Sequence, residues 1–144
     1  MKPVLTHVAL GVHDLERTID FYRRHVRLHV VHDRHDGDAR VVWLSERAEE
    51  PDFVLVLFEV HSRPAVAPST LMHLGFAVES RDEVDAAANA AREEDILMIP
   101  PHDAGPVVGY FCIVRDPDGN QVEFSYGQPI DPRHIATATL AVPR

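Results

Sequence analysis

The run from Thr6 to Val12, Thr-His-Val-Ala-Leu-Gly-Val, returns at Met72 to Val78 as Met-His-Leu-Gly-Phe-Ala-Val, so that His73 follows His7 by 66 residues. Each run leads into a residue suited to opening a helix, Asp14 in the first copy and Ser80 in the second. A repeat of this kind restricts the fold to two copies of one supersecondary unit. Copies packed as a pseudo-symmetric pair can bring their two strand histidines together, and paired imidazoles suggest a metal.

The first copy reads as strand, helix and three further strands. Val4 to Val12 is apolar and β-branched, and Leu15, Ile19, Tyr22 and Val26 recur at helical spacing opposite Glu16, Arg17, Asp20, Arg23 and Arg24. Leu28 to Asp33, Arg40 to Ser45 and Phe53 to His61 read as strands, with Asp36-Gly37-Asp38 as a turn. The second copy opens with Leu71 to Val78. Ser80-Arg81-Asp82-Glu83 is then a capping box, and Val84, Ala87, Ala88 and Ala91 give a helix to about Glu94 a narrow apolar face. Strands are expected at Ile96 to Ile99, stopped by Pro100-Pro101, at Val107 to Arg115 and at Gln121 to Tyr126, with Asp116-Pro117-Asp118-Gly119-Asn120 as a turn. The expected class is α+β, with two βαβββ repeats. The organisation is a single domain over 1-144, with modules 4-61 and 71-127, a connector 62-70 and an extension 128-144. The extension's apolar segment, Ile135 to Val142, is suited to packing on a partner subunit.

With 144 residues, 45% of them hydrophobic, the chain can bury one compact core. No apolar run approaches the roughly 20 residues of a membrane span, and the first residues lack the apolar segment of a signal peptide, so a cytoplasmic protein is expected. The single cysteine, Cys112, excludes an intramolecular disulfide framework and a thiolate zinc cluster and reads as a small buried apolar residue. A net charge of −9, with no basic stripe, argues against nucleic acid as a partner, because phosphate neutralisation supplies most of that affinity. Among ten histidines, His25, His29, His32 and His35 lie between arginines and aspartates and read as surface residues.

Two βαβββ copies, a histidine opening each, and Asp116-Pro117-Asp118-Gly119-Asn120-Gln121-Val122-Glu123-Phe124 near the end together resemble the vicinal oxygen chelate superfamily over residues 4 to about 127. That superfamily includes glyoxalase I, extradiol dioxygenases, fosfomycin resistance enzymes, methylmalonyl-CoA epimerase and bleomycin-binding proteins. The resemblance implies that the repeats form an open half-barrel around one cavity and that relatives often form homodimers, so a homodimer is expected.

Strand alternation adds that Gln121, Glu123 and Ser125 share one face while Val122, Phe124 and Tyr126 share the other, so Glu123 is expected to face away from the core. His7, His73 and Glu123 are therefore the candidate metal ligands. Two imidazoles and a carboxylate leave vacancies on Fe(II), Mn(II), Ni(II) or Zn(II) for two adjacent substrate oxygens. The resemblance also directs attention to strand four of the first copy as a source of a fourth ligand, for which Glu59 is the candidate. His61 shares its parity as a candidate base, and Tyr110 is the nearest tyrosine to Ile113, the position where ring-cleaving relatives usually carry one. Three reaction classes follow. An extradiol-type dioxygenase suits three ligands, a glyoxalase-like isomerase, lyase or epimerase would use Glu59 as well, and a metal-free drug-binding protein would use none. The small-molecule enzyme readings are ranked first, the dioxygenase ahead of the isomerase, because all three strong ligand candidates are present.

Overall fold

The structure is a computed structural model that describes residues 3-60 and 72-131. Its contacts divide the chain into two compact units, Met1–Ala67 and Pro68–Arg144. The first contains β1 (His7–Val12), α1 (Leu15–His25), β2 (His29–Asp36), β3 (Ala39–Ser45) and β4 (Val54–Glu59). The second contains β5 (His73–Ala77), α2 (Arg81–Glu93), β6 (Leu97–Asp103), β7 (Tyr110–Arg115) and β8 (Gln121–Tyr126). Each unit is βαβββ with one open four-stranded sheet, ordered β1-β4-β3-β2 in the first and β5-β8-β7-β6 in the second. The fold class read from the repeat is the one observed.

In both units the first strand pairs in parallel with the last, and the remaining pairings are antiparallel. The last strand thus lies beside the histidine-bearing strand, which positions the site. In the first unit, Val42, Leu44, Leu55 and Leu57 are buried on one sheet face, against the apolar side of α1 formed by Leu15, Ile19, Phe21 and Tyr22. Asp14 caps α1 by accepting from the Arg17 amide at 3.0 Å. Arg40 joins β3 to both β2 and α1: its Nε and Nη2 grip Asp33 at 2.9 and 2.7 Å, and its Nη1 donates to Glu16. The Arg40 side-chain bond holds the Asp33 carboxyl below its usual value, and Asp33 and Glu16 together raise the guanidinium's.

In the second unit α2 lies over β7, β6 and β8 with Val84, Ala88 and Ala91 fully buried. Alanines let helix and sheet approach closely enough for the Cys112 thiol to sit 3.7 Å from the Val84 carbonyl. The capping box forms with one difference from expectation. Ser80 accepts from the Glu83 amide at 3.2 Å, while the Glu83 carboxylate reaches the amide of Glu79 rather than that of Ser80.

Pro100-Pro101 does not stop the sixth strand, which continues to Asp103. β6 is an edge strand, and its pairing with β7 shifts register between Ile99 and His102, so the prolines fall where their missing amides leave the ladder intact. The expected strand start at Val107 is also displaced. Residues 106-108 form a turn, and β7 begins at Tyr110 after Gly109.

Candidate functional site

Pairing registers assign each candidate side chain to a sheet face, because directly opposed residues project to the same side. In the second unit His73 is opposite Gln121, Gly75 opposite Glu123, and Ala77 opposite Ser125. On the next strand Ile113 opposes Glu123 and Phe111 opposes Ser125. These residues form the face turned away from α2. On it, His73 Nε2 stands 3.6 Å from Glu123 Oε2. Glu123 is 5% exposed although it faces away from α2, so the strand is buried on both faces. A Cβ at Gly75 would lie 3.9 Å from Glu123 Oε1, which leaves the carboxylate uncrowded.

A carboxylate this buried is costly to keep charged without a cation or a hydrogen-bonding partner. The spacing suits a shared ion. Two ligand atoms each about 2.1 Å from one metal stand about 3.0 Å apart at a right angle and about 3.4 Å at the tetrahedral angle, a few tenths less than the observed separation. Among the described residues, neither unit taken by itself gathers three histidine, cysteine, aspartate or glutamate side chains around one point. The second unit supplies two of the expected donors, His73 and Glu123.

In the first unit His7 is opposite Val54 and Ala9 opposite Val56. Val56 is therefore the position that corresponds to Glu123, since each is paired with the residue two beyond its unit's histidine. Glu59 is opposite Val12 and has the parity of Leu55 and Leu57, the buried helix-side face, whereas His7 belongs to the other side. The repeat offset drifts by one residue along the fourth strand, and one residue reverses the face, so the pairing puts Glu59 on the side opposite to His7 rather than on the side that the offset gave it. Tyr110 is likewise on the helix side of its sheet. Its hydroxyl donates to Asp85 at 2.7 Å and its ring lies under the Arg81 guanidinium, 4.7 Å from centroid to Cζ, so it faces away from Glu123. The bond to Asp85 raises the phenol above its usual value. His61 and the segment Ile135 to Val142 lie outside the described residues. Arg40 serves the ion pairs of the helix side described above.

His7 lines a cavity of about 490 Å3 on the outer face of its own sheet, with Ala9, Trp43, Val54, Val56 and Phe58. Thr6 Oγ1 lies 3.0 Å from His7 Nδ1, a contact of the kind that fixes the orientation of a ligating imidazole. This cavity escaped the sequence reading. Its signal is the alternation of β3, where Trp43 projects opposite to the buried Val42 and Leu44.

The model of the Glyoxalase/Bleomycin resistance protein/Dioxygenase superfamily matches residues 4-124, and the chain belongs to that family. It is 41% identical over 132 residues to the uncharacterized protein PA2024 of Pseudomonas aeruginosa, covering 92% of this chain and 94% of that one. Among solved structures it resembles a variant of the fosfomycin resistance protein FosX of Listeria monocytogenes complexed with Mn(II) and 1S,2S-dihydroxypropylphosphonic acid. That match has 20% identity and a TM-score of 0.70, over 92% of this chain and 98% of the other. Glyoxalase I of Leishmania major matches at 20% identity and a TM-score of 0.66, over 88% of each chain. No helix among the described residues is long and apolar enough to cross a membrane.

Proposed function

We propose that the chain is a divalent-metal-dependent enzyme acting on a small substrate chelated through two adjacent oxygens, with His7, His73 and Glu123 as the protein ligands. The observation that carries this reading is the buried Glu123 carboxylate facing His73 Nε2 across 3.6 Å. A bound Fe(II), Mn(II), Ni(II) or Zn(II) would supply Lewis acidity that stabilises negative charge on the substrate oxygens. Glu123 and His73 would hold the ion, and Gly75 keeps the space beside the carboxylate open. Ile113, directly opposite Glu123, limits water on that side. Thr6 would hold His7 by Nδ1, leaving Nε2 for ligation.

Between the enzyme classes, Val56 supports the dioxygenase reading. The isomerase and epimerase reading needs a fourth ligand from β4, and the position corresponding to Glu123 is apolar while Glu59 has the opposite parity. Three protein ligands fit an extradiol-type dioxygenase, which needs a further vacancy for O2, and this is the reading we favour. The FosX relative, complexed with Mn(II), supports a metal. We further propose a cytoplasmic homodimer.

Anaerobic reconstitution with Fe(II), followed by a catechol and then O2, tests the reaction: stoichiometric O2 consumption with ring cleavage is expected. Metal bound without O2 uptake would remove the dioxygenase. A protein that takes up no divalent ion, or binds it equally well as His73→Ala, would remove the enzyme reading in favour of drug sequestration.

A further inference from the structure

The cavity of the first unit is shaped for more than a metal ligand. Its floor is Ala9, Val54 and Val56, with Phe58 beyond, and its sides are His7 on β1 and Trp43 on β3. Trp43 is opposite Val56 and so level with Ala9, while His7 is opposite Val54, two residues back along β1. Two strand spacings across the sheet and one two-residue step along it put the two sides about 12 Å apart. Once the side chains' own contact radii are allowed for, that leaves the width of about one ring. The volume of about 490 Å3 falls in the range of small-molecule sites, about 300 to 1,000 Å3.

The charges at the rim are unequal. Asp52 lines the cavity but is paired with Arg47. Arg34 has its Cζ 5.6 Å from the Trp43 ring centroid, and Asp36 takes its Nε and Nη2 edge at 3.1 to 3.2 Å and 3.0 Å. Among the described residues the Nη1 corner of Arg34 carries no bond. A guanidinium held in this way beside an indole offers an anion a charged donor directly over an aromatic wall.

We propose that this cavity seats one flat aromatic ring bearing a carboxylate or similar anionic group, the ring between His7 and Trp43 and the anion at Arg34. For the substrate of the metal centre this deepens the preceding reading and rests on it: the ring seat would present the substrate's paired oxygens on the His7 side and its anionic group on the Arg34 side.

Trp43 is the sole tryptophan, so its fluorescence reports this one location. The test uses the full chain freed of metal with EDTA, and benzoate as the probe, a ring and an anion without vicinal oxygens. Saturable quenching by benzoate is expected, about tenfold tighter than any effect of cyclohexanecarboxylate, which has the same charge and a thicker ring. Arg34→Gln should erase the preference for benzoate over benzyl alcohol. Val56→Phe, which fills the floor, should abolish the quench with far-ultraviolet circular dichroism unchanged, and Ala9→Leu replaces it if that variant does not fold. Equal binding of the two acids, no saturable quench, or a quench that survives the filled floor would overturn the proposal. Since the probe needs no metal, a protein that binds benzoate yet takes up no ion retains the ring seat and loses the metal centre, and the reverse result does the opposite.

Discussion

Glu123 owes its setting to a neighbour that contributes no side chain. Gly75 is directly opposite on β5, and an added Cβ would meet Glu123 Oε1 at 3.9 Å, an ordinary contact. Gly75→Ala should therefore leave metal affinity within about threefold of the parent. Gly75→Val carries its branches into the carboxylate and should weaken divalent-ion binding by tenfold or more by isothermal titration calorimetry, a displacement of about 1.4 kcal/mol. Equal affinities in the two variants would show that the space beside the carboxylate is not needed. Cys112 lies on the opposite face, fully buried, and burial pushes its thiol up to about 11 from 9.0. The folded state holds this proton more tightly than the unfolded chain, so the associated stability is complete below pH 9 and disappears as pH rises toward about 11. Urea titrations should show stability falling over that interval more steeply in the parent than in Cys112→Ala, and thiol reagents at pH 8 should react only after unfolding.

At the scale of elements, the two hairpin connections of the second unit are the fragile parts. Asp116 is 4% exposed and organises the turn before β8, its Oδ1 accepting from the amides of Asp118 and Asn120 at 2.9 and 2.8 Å and its Oδ2 from the Asn120 side chain at 2.7 Å. Asp116→Ala would orphan these donors and should lower stability by about 1.5 to 3 kcal/mol by chemical denaturation. Gly109 has φ +84° and would place a Cβ 2.4 Å from the Tyr126 carbonyl. Gly109→Ala combines a clash with unfavourable backbone and should be worse, at about 3 kcal/mol or more. A loss under 1 kcal/mol in either variant would contradict these roles. The helices and the DPDG turn were legible in the sequence because caps, periodicity and turn residues act locally. The extent of β6 was not, since Pro100 and Pro101 signal a stop unless the strand lies on an edge, which only the pairing reveals. Parity also misled at Glu59, because a register drift of one residue between repeats leaves no local trace.

For the whole molecule, the repeat disclosed the architecture and the pair His73 and Glu123, while the cavity at Trp43 required knowledge of which strands are neighbours. If His7 shares an ion with His73 and Glu123, binding ties together ligands from both repeats and must stabilise the folded chain by mass action. At a free metal concentration 100 times Kd the gain is about 2.7 kcal/mol. Metal addition after EDTA treatment should therefore raise Tm by several degrees in the parent and leave Glu123→Gln where it was. An equal rise in both would assign the ion elsewhere. Val56 and Glu123 hold corresponding places in their two sheets. The scaffold thus has two interchangeable sockets, of which one is acidic and the other is greasy. If the ion is held as proposed, installing glutamate in the second socket by Val56→Glu would turn a centre with spare coordination sites into a more saturated one, trading openness to incoming molecules for grip on the ion.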